Sequence, residues 1–124
     1  MQVLGNILLV GLGGFAGSAA RYSVSLLAKG LGWKWPVATF LVNLLGALLI
    51  GALWGKAMQM PESRWILTLG TAGFCGGFTT FSAFSLEVLE LLRNGDYGVG
   101  LLYVAASVVL CVGGVCVGMM LAKG

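Results

Sequence analysis

The chain has no histidine, and only four of its 124 residues are carboxylates: Glu62, Glu87, Glu90 and Asp96. Seven Lys and Arg bring the charged fraction to 9%, against about 25% in a typical soluble domain. A water-soluble protein of this size cannot cover its surface with so few charges, and the apolar patches left bare would drive aggregation. That excludes an ordinary soluble enzyme, a nucleic-acid binder and a disordered chain. The net charge of +3 comes from scattered residues and assembles no basic patch. Without histidine, no Ser/His/Asp or Cys/His set can be built. Cys75, Cys111 and Cys116 lie in apolar runs with no metal-ligand spacing and read as small packing residues. The chain is not expected to be an enzyme. Proline is also scarce: Pro36 and Pro61 are the only two, and both fall in expected turns.

What the sequence has in quantity is uncharged length. Met1–Ala20, Trp35–Gly55, Trp65–Leu86 and Tyr97–Ala122 carry no charged side chain over 20, 21, 22 and 26 residues. A hydrocarbon core about 30 Å thick needs about 20 helical residues. The four runs therefore predict an all-α membrane protein, a single domain of four transmembrane helices over residues 1–124. The first run lacks the basic start and small-residue cleavage site of a signal peptide. The segments between the runs read as turns: Lys29–Pro36 with interfacial Trp and Lys, Gln59–Arg64, and Arg93–Tyr97 with its Asn94-Gly95 pair.

Four crossings put the N-terminus, the second turn and the C-terminus on one side, with Lys56, Arg64 and Lys123. The other side has Lys29, Lys34 and Arg93. Orientation follows an imbalance of Lys and Arg, and here the two sides match. Insertion in both orientations, with the two forms pairing as an antiparallel dual-topology dimer, is the expected consequence; Arg21 or the N-terminal amine is the alternative tie-breaker. Gly13/Gly17, Gly51/Gly55, Gly73/Gly77 and Gly114/Gly118 are small-xxx-small pairs, one per helix, that let helices approach closely. A bundle this small has little room for a pore of its own, so pathways are expected where two subunits meet.

The third run holds the least helical stretch. Gly76-Gly77 followed by Thr79-Thr80 is poor helix sequence. An unwound stretch inside a bilayer survives only within protein or beside a water-filled cavity, and broken membrane helices commonly present carbonyls that hold a cation. The reading is a third helix broken at mid-span; a continuous helix with hydroxyls bonded to the preceding turn is the alternative. Beyond it, Phe81 and Phe84 share one face, and Ser82 and Ser85 the adjoining one. Thr39 and Asn43 are four apart on the second helix, as are Tyr103 and Ser107 on the fourth. Together they predict a narrow track of uncharged donors that suits an anion or water better than a cation. Aromatic edges are electropositive, so Phe81 and Phe84 read either as packing or as anion contacts. Arg21, near the end of the first helix, reads as a residue reaching the interface or as a charge that concentrates anions at a pore mouth.

Three stretches carry a specific resemblance: Gly13-Gly14-Phe-Ala-Gly17-Ser-Ala-Ala-Arg21-Tyr22, Thr39-Phe-Leu-Val42-Asn43-Leu-Leu-Gly46, and Gly73 through Glu87. The chain resembles the Fluc family of fluoride channels, also called CrcB proteins. The likeness runs the whole length and is loosest in the fourth helix. It implies an antiparallel dual-topology homodimer in the bacterial inner membrane, with two pores that let fluoride out passively and reject chloride. It also implies one structural Na⁺ at the dimer interface, held by the backbone carbonyls of Gly76 and Thr79 from both subunits. By motif position, Asn43, Phe81, Phe84, Ser82, Ser85, Tyr103 and Ser107 would line the fluoride pore, and Arg21 would stand by the vestibule. One departure is Ala83, where family members often have Thr. The competing reading is a small dual-topology, proton-coupled multidrug exporter. That chemistry needs an acidic residue in the first helix, and none precedes Glu62.

Overall fold

The computed structural model describes residues 2–33, 36–60, 62 and 64–123. Lys34, Trp35, Pro61 and Ser63 of the expected turns lie outside the described residues. Among the described residues, three long helices are apolar enough to cross a membrane: α1 (Gln2–Gly30), α2 (Val37–Ala57) and α6 (Tyr97–Lys123). No strand occurs among the described residues.

The third uncharged run folds differently. A short α3 (Arg64–Leu67) passes into a π-helical stretch over Thr68–Cys75 and then a single turn, α4 (Gly76–Phe78). Thr79 and Thr80 are extended, at φ −83°, ψ 159° and φ −148°, ψ 120°. Helix resumes as α5 (Phe81–Arg93), with the Thr80 hydroxyl accepting from the Ala83 amide at 3.1 Å as an N-cap.

Turn chemistry sets the other ends. After α1, Gly32 takes φ +75°, the Gly32 amide donates to Lys29 O and the Trp33 amide to Ala28 O. After α5, Gly95 at φ +83° does the same, with amides 95 and 96 donating to Leu92 O and Leu91 O. Both are left-handed glycine caps that satisfy carbonyls the helix leaves over. At α2, the Pro36 carbonyl accepts the first helical bond, from the Phe40 amide, and Pro36 has no amide to leave unpaired.

The glycine pairs determine which helices meet. A Cβ at Gly13 or Gly17 would collide with the carbonyl oxygens of Leu69 and Phe74, so α1 lies directly against the π-helical stretch. At Gly51 it would strike Val115 O, and at Gly118 it would strike Leu48 O; α2 and α6 form the most extensive helix pair. Phe84, Leu91 and Tyr103 form a small buried cluster between α5 and α6, with Phe40 of α2 against it. Phe15, Leu12, Val109, Leu110 and many other large apolar side chains face outward, the surface a lipid solvent requires.

Candidate functional site

Thr80 has no helical ladder to join and must find partners elsewhere, and α2 supplies them. Asn43 Oδ1 accepts from the Thr80 amide at 2.8 Å, and its Nδ2 donates to the Thr80 carbonyl at 3.2 Å. One amide side chain thus pairs with a backbone residue as a neighbouring strand would. Thr79 is tied back to the end of the π-helical stretch: its amide and its hydroxyl both donate to Cys75 O, at 2.9 and 2.8 Å. On the α1 side, Arg21 Nε donates to Gly77 O at 3.1 Å, a cation at the negative end of the helical turn.

These bonds release two carbonyls. The amide four residues beyond Gly76 belongs to Thr80 and donates to Asn43. The amide four beyond Thr79 belongs to Ala83 and donates to Thr80 Oγ1. The Gly76 and Thr79 oxygens are therefore free of the helical pattern, and both residues line the same groove. Among the described residues no group of three His, Cys, Asp or Glu side chains comes together. Uncharged carbonyl oxygens are the donors that suit a hard, singly charged cation, so the set fits the expected Na⁺.

The groove has a volume of about 420 Å³ and runs between α2, the third segment and α6. Asn43, Gly76, Thr79, Phe81, Phe84 and Ser107, all expected site residues, line it. Phe81 is 78% exposed while Phe84 is buried, and their ring centroids are 5.6 Å apart. Ser107 is 7% exposed, and its hydroxyl has no hydrogen-bond partner among the described residues. The remaining expected residues lie apart from the groove lining. Ser85 donates to Phe81 O at 2.8 Å, Ser82 shares a 3.2 Å contact with Thr80 Oγ1, and both are exposed. Tyr103 stands behind Phe84, with centroids 5.0 Å apart.

Tyr103 leads to a group that sequence reasoning left unassigned. Its hydroxyl donates to Glu87 Oε1 at 2.7 Å, and the Thr39 hydroxyl donates to Glu87 Oε2 at 2.7 Å. Glu87 is 7% exposed, a carboxyl enclosed by three helices. The available signal was its spacing: Phe84, Glu87 and Leu91 are the buried residues of α5, an i, i+3, i+7 stripe. Glu90 lies off that stripe.

Long apolar helices around an uncharged groove at a helix interruption define a multi-pass membrane protein. The family described as CrcB-like protein, Camphor Resistance (CrcB), matches residues 8–119, and the chain belongs to it. It is 41% identical to the fluoride-specific ion channel FluC of Ruminiclostridium cellulolyticum over 125 residues, covering 99% of this chain and 96% of that protein. It is 50% identical over 110 residues to the protein of the same name from Chlorobaculum tepidum, covering 86% of this chain and 85% of the relative. With that of Methylobacillus flagellatus the identity is 45% over 111 residues, at 85% and 84% coverage.

Proposed function

We propose that the chain is the subunit of a fluoride-selective channel. Two copies insert in opposite orientations in a bacterial inner membrane and pair as an antiparallel homodimer with two pores. Fluoride leaves the cell through them passively. The names of relatives at 41–50% identity support the ion, and the even division of Lys and Arg supports the dual topology. In this reading residues 64–93 form one interrupted crossing, the third of four spans.

The observation that carries the proposal is the Thr79–Thr80 interruption, held by Asn43 and opening on a groove with Phe81 and Phe84. Fluoride is small and strongly hydrated, so a pore must replace its water closely. Hydroxyl and amide donors do this without a fixed cation that would trap the ion. Phenyl edges add weak positive potential in an otherwise apolar wall. The unpartnered Ser107 hydroxyl offers one such donor. Ser82, Ser85 and Tyr103 extend the track, and Arg21 raises anion concentration near its mouth. The Gly76 and Thr79 carbonyls of both subunits would hold Na⁺, which would supply positive charge beside the pores.

Fluoride and chloride efflux from liposomes containing the purified protein tests the reading. Fluoride is expected to leave without proton coupling while chloride is retained. Chloride efflux at a comparable rate would overturn it.

A further inference from the structure

We infer that Gly46 is a positioning residue of the ion pathway: its missing side chain leaves a notch in α2 that seats the Thr79 methyl and fixes the extended backbone at Thr79. The inference rests on the proposed role of the Thr79 carbonyl as a cation ligand. A Cβ at position 46 would overlap Thr79 Cγ2 and lie 3.6 Å from Phe78 Cδ2. Gly46 is unlike the packing glycines in what it faces. Gly13, Gly17, Gly51 and Gly118 each meet a backbone oxygen of a neighbouring segment, whereas Gly46 meets one methyl at the interruption.

The rest of Thr79 is held as well. Its amide and its hydroxyl both bind Cys75 O. With Oγ1 and Cγ2 both occupied, the β-branched side chain has one rotamer left. Asn43 lies one helical turn before Gly46 on the same face and fixes Thr80 on both backbone groups. One face of α2 therefore holds both extended residues, one by hydrogen bonds and the other by shape. A methyl added at 46 has to displace Thr79, and with it a carbonyl whose placement the cation reads.

The test uses full-length protein carrying Gly46→Ala, Thr79→Ser, or both. Serine keeps Oγ1 and removes Cγ2, so it relieves the collision. Na⁺-dependent thermal stabilisation of the purified dimer and fluoride efflux from liposomes are both measured. Gly46→Ala is expected to raise the half-stabilising Na⁺ concentration about tenfold, equal to about 1.4 kcal/mol, and to slow fluoride. Adding Thr79→Ser to Gly46→Ala should recover most of both losses. If Gly46→Ala alone does not assemble, assembly of the double variant is the supporting result and its failure the opposing one. A Gly46→Ala protein that matches wild type, or a double variant no better than Gly46→Ala, overturns the inference. Absence of fluoride efflux in wild type would instead overturn the functional reading. The Gly46–Thr79 coupling is then read from melting temperatures alone, where strict additivity opposes it and rescue supports it.

Discussion

Asn43 satisfies both backbone groups of Thr80, accepting from its amide at 2.8 Å and donating to its carbonyl at 3.2 Å. An amide is neutral and carries its acceptor and its donor on two separate atoms, so it can face the amide and the carbonyl of one residue at once. Asn43→Ala leaves the two groups unpaired, at about 1–3 kcal/mol for each buried one. Asn43→Asp keeps the acceptor and loses the donor, setting an oxygen against the Thr80 carbonyl. Both variants should melt earlier and conduct less fluoride than wild type. Unchanged melting of Asn43→Ala would show that the pairing contributes little.

The two phenylalanines should separate function from stability. Phe84 is buried against Tyr103, whereas Phe81 is mostly exposed. Phe84→Ile changes shape in a packed site and is expected to cost about 1–3 kcal/mol. Phe81→Ile should stay within about 0.5 kcal/mol. Both are expected to slow fluoride in the liposome assay. Full flux through Phe81→Ile would remove that ring from the pathway.

Glu87 is the hub of a buried three-residue set with Thr39 and Tyr103. Tyr103→Phe removes one donor while preserving the ring that packs at a tilt against Phe84, so one carboxyl oxygen loses its partner. The expected loss is about 1–3 kcal/mol, read by thermal or chemical unfolding. Combined with Thr39→Val, the losses should be non-additive, because the two hydroxyls share one carboxyl group.

The orientation argument predicts an effect from charge alone. Lys56→Gln with Arg64→Gln removes two of the three cations assigned to one side. The product should insert predominantly one way round, read by labelling of introduced cysteines from each side, and should form fewer active dimers. A fully active protein with a single orientation would contradict antiparallel pairing.

The helical, membrane-spanning character was legible because uncharged length is a global property that every residue in a run shares. The ends of α1 and α5 were legible too, since Gly32 and Gly95 are the residues that left-handed caps require. The extended pair was foreshadowed by Gly76-Gly77 and Thr79-Thr80, but its partners were not: nothing in the spacing of Asn43 says that it binds Thr80, 37 positions away. The π-helical stretch left no trace at all. It lies against α1 at Gly13 and Gly17, a tertiary relation with no local signature in the sequence. Glu87 has no charged partner in the sequence pattern to announce it; only its stripe with Phe84 and Leu91 places it inside.

A helix with wide turns over Thr68–Cys75 also carries roughly one residue more than an ordinary helix would need to cover the same sweep. Each residue of an α-helix advances the rotation by about 100°, and each residue of a wider turn by less. Tightening the stretch at full length would therefore swing Gly76 and Gly77 round the axis and away from Arg21. A single-codon deletion there is the compensated change, because the shorter, tighter helix would aim everything downstream nearly as before.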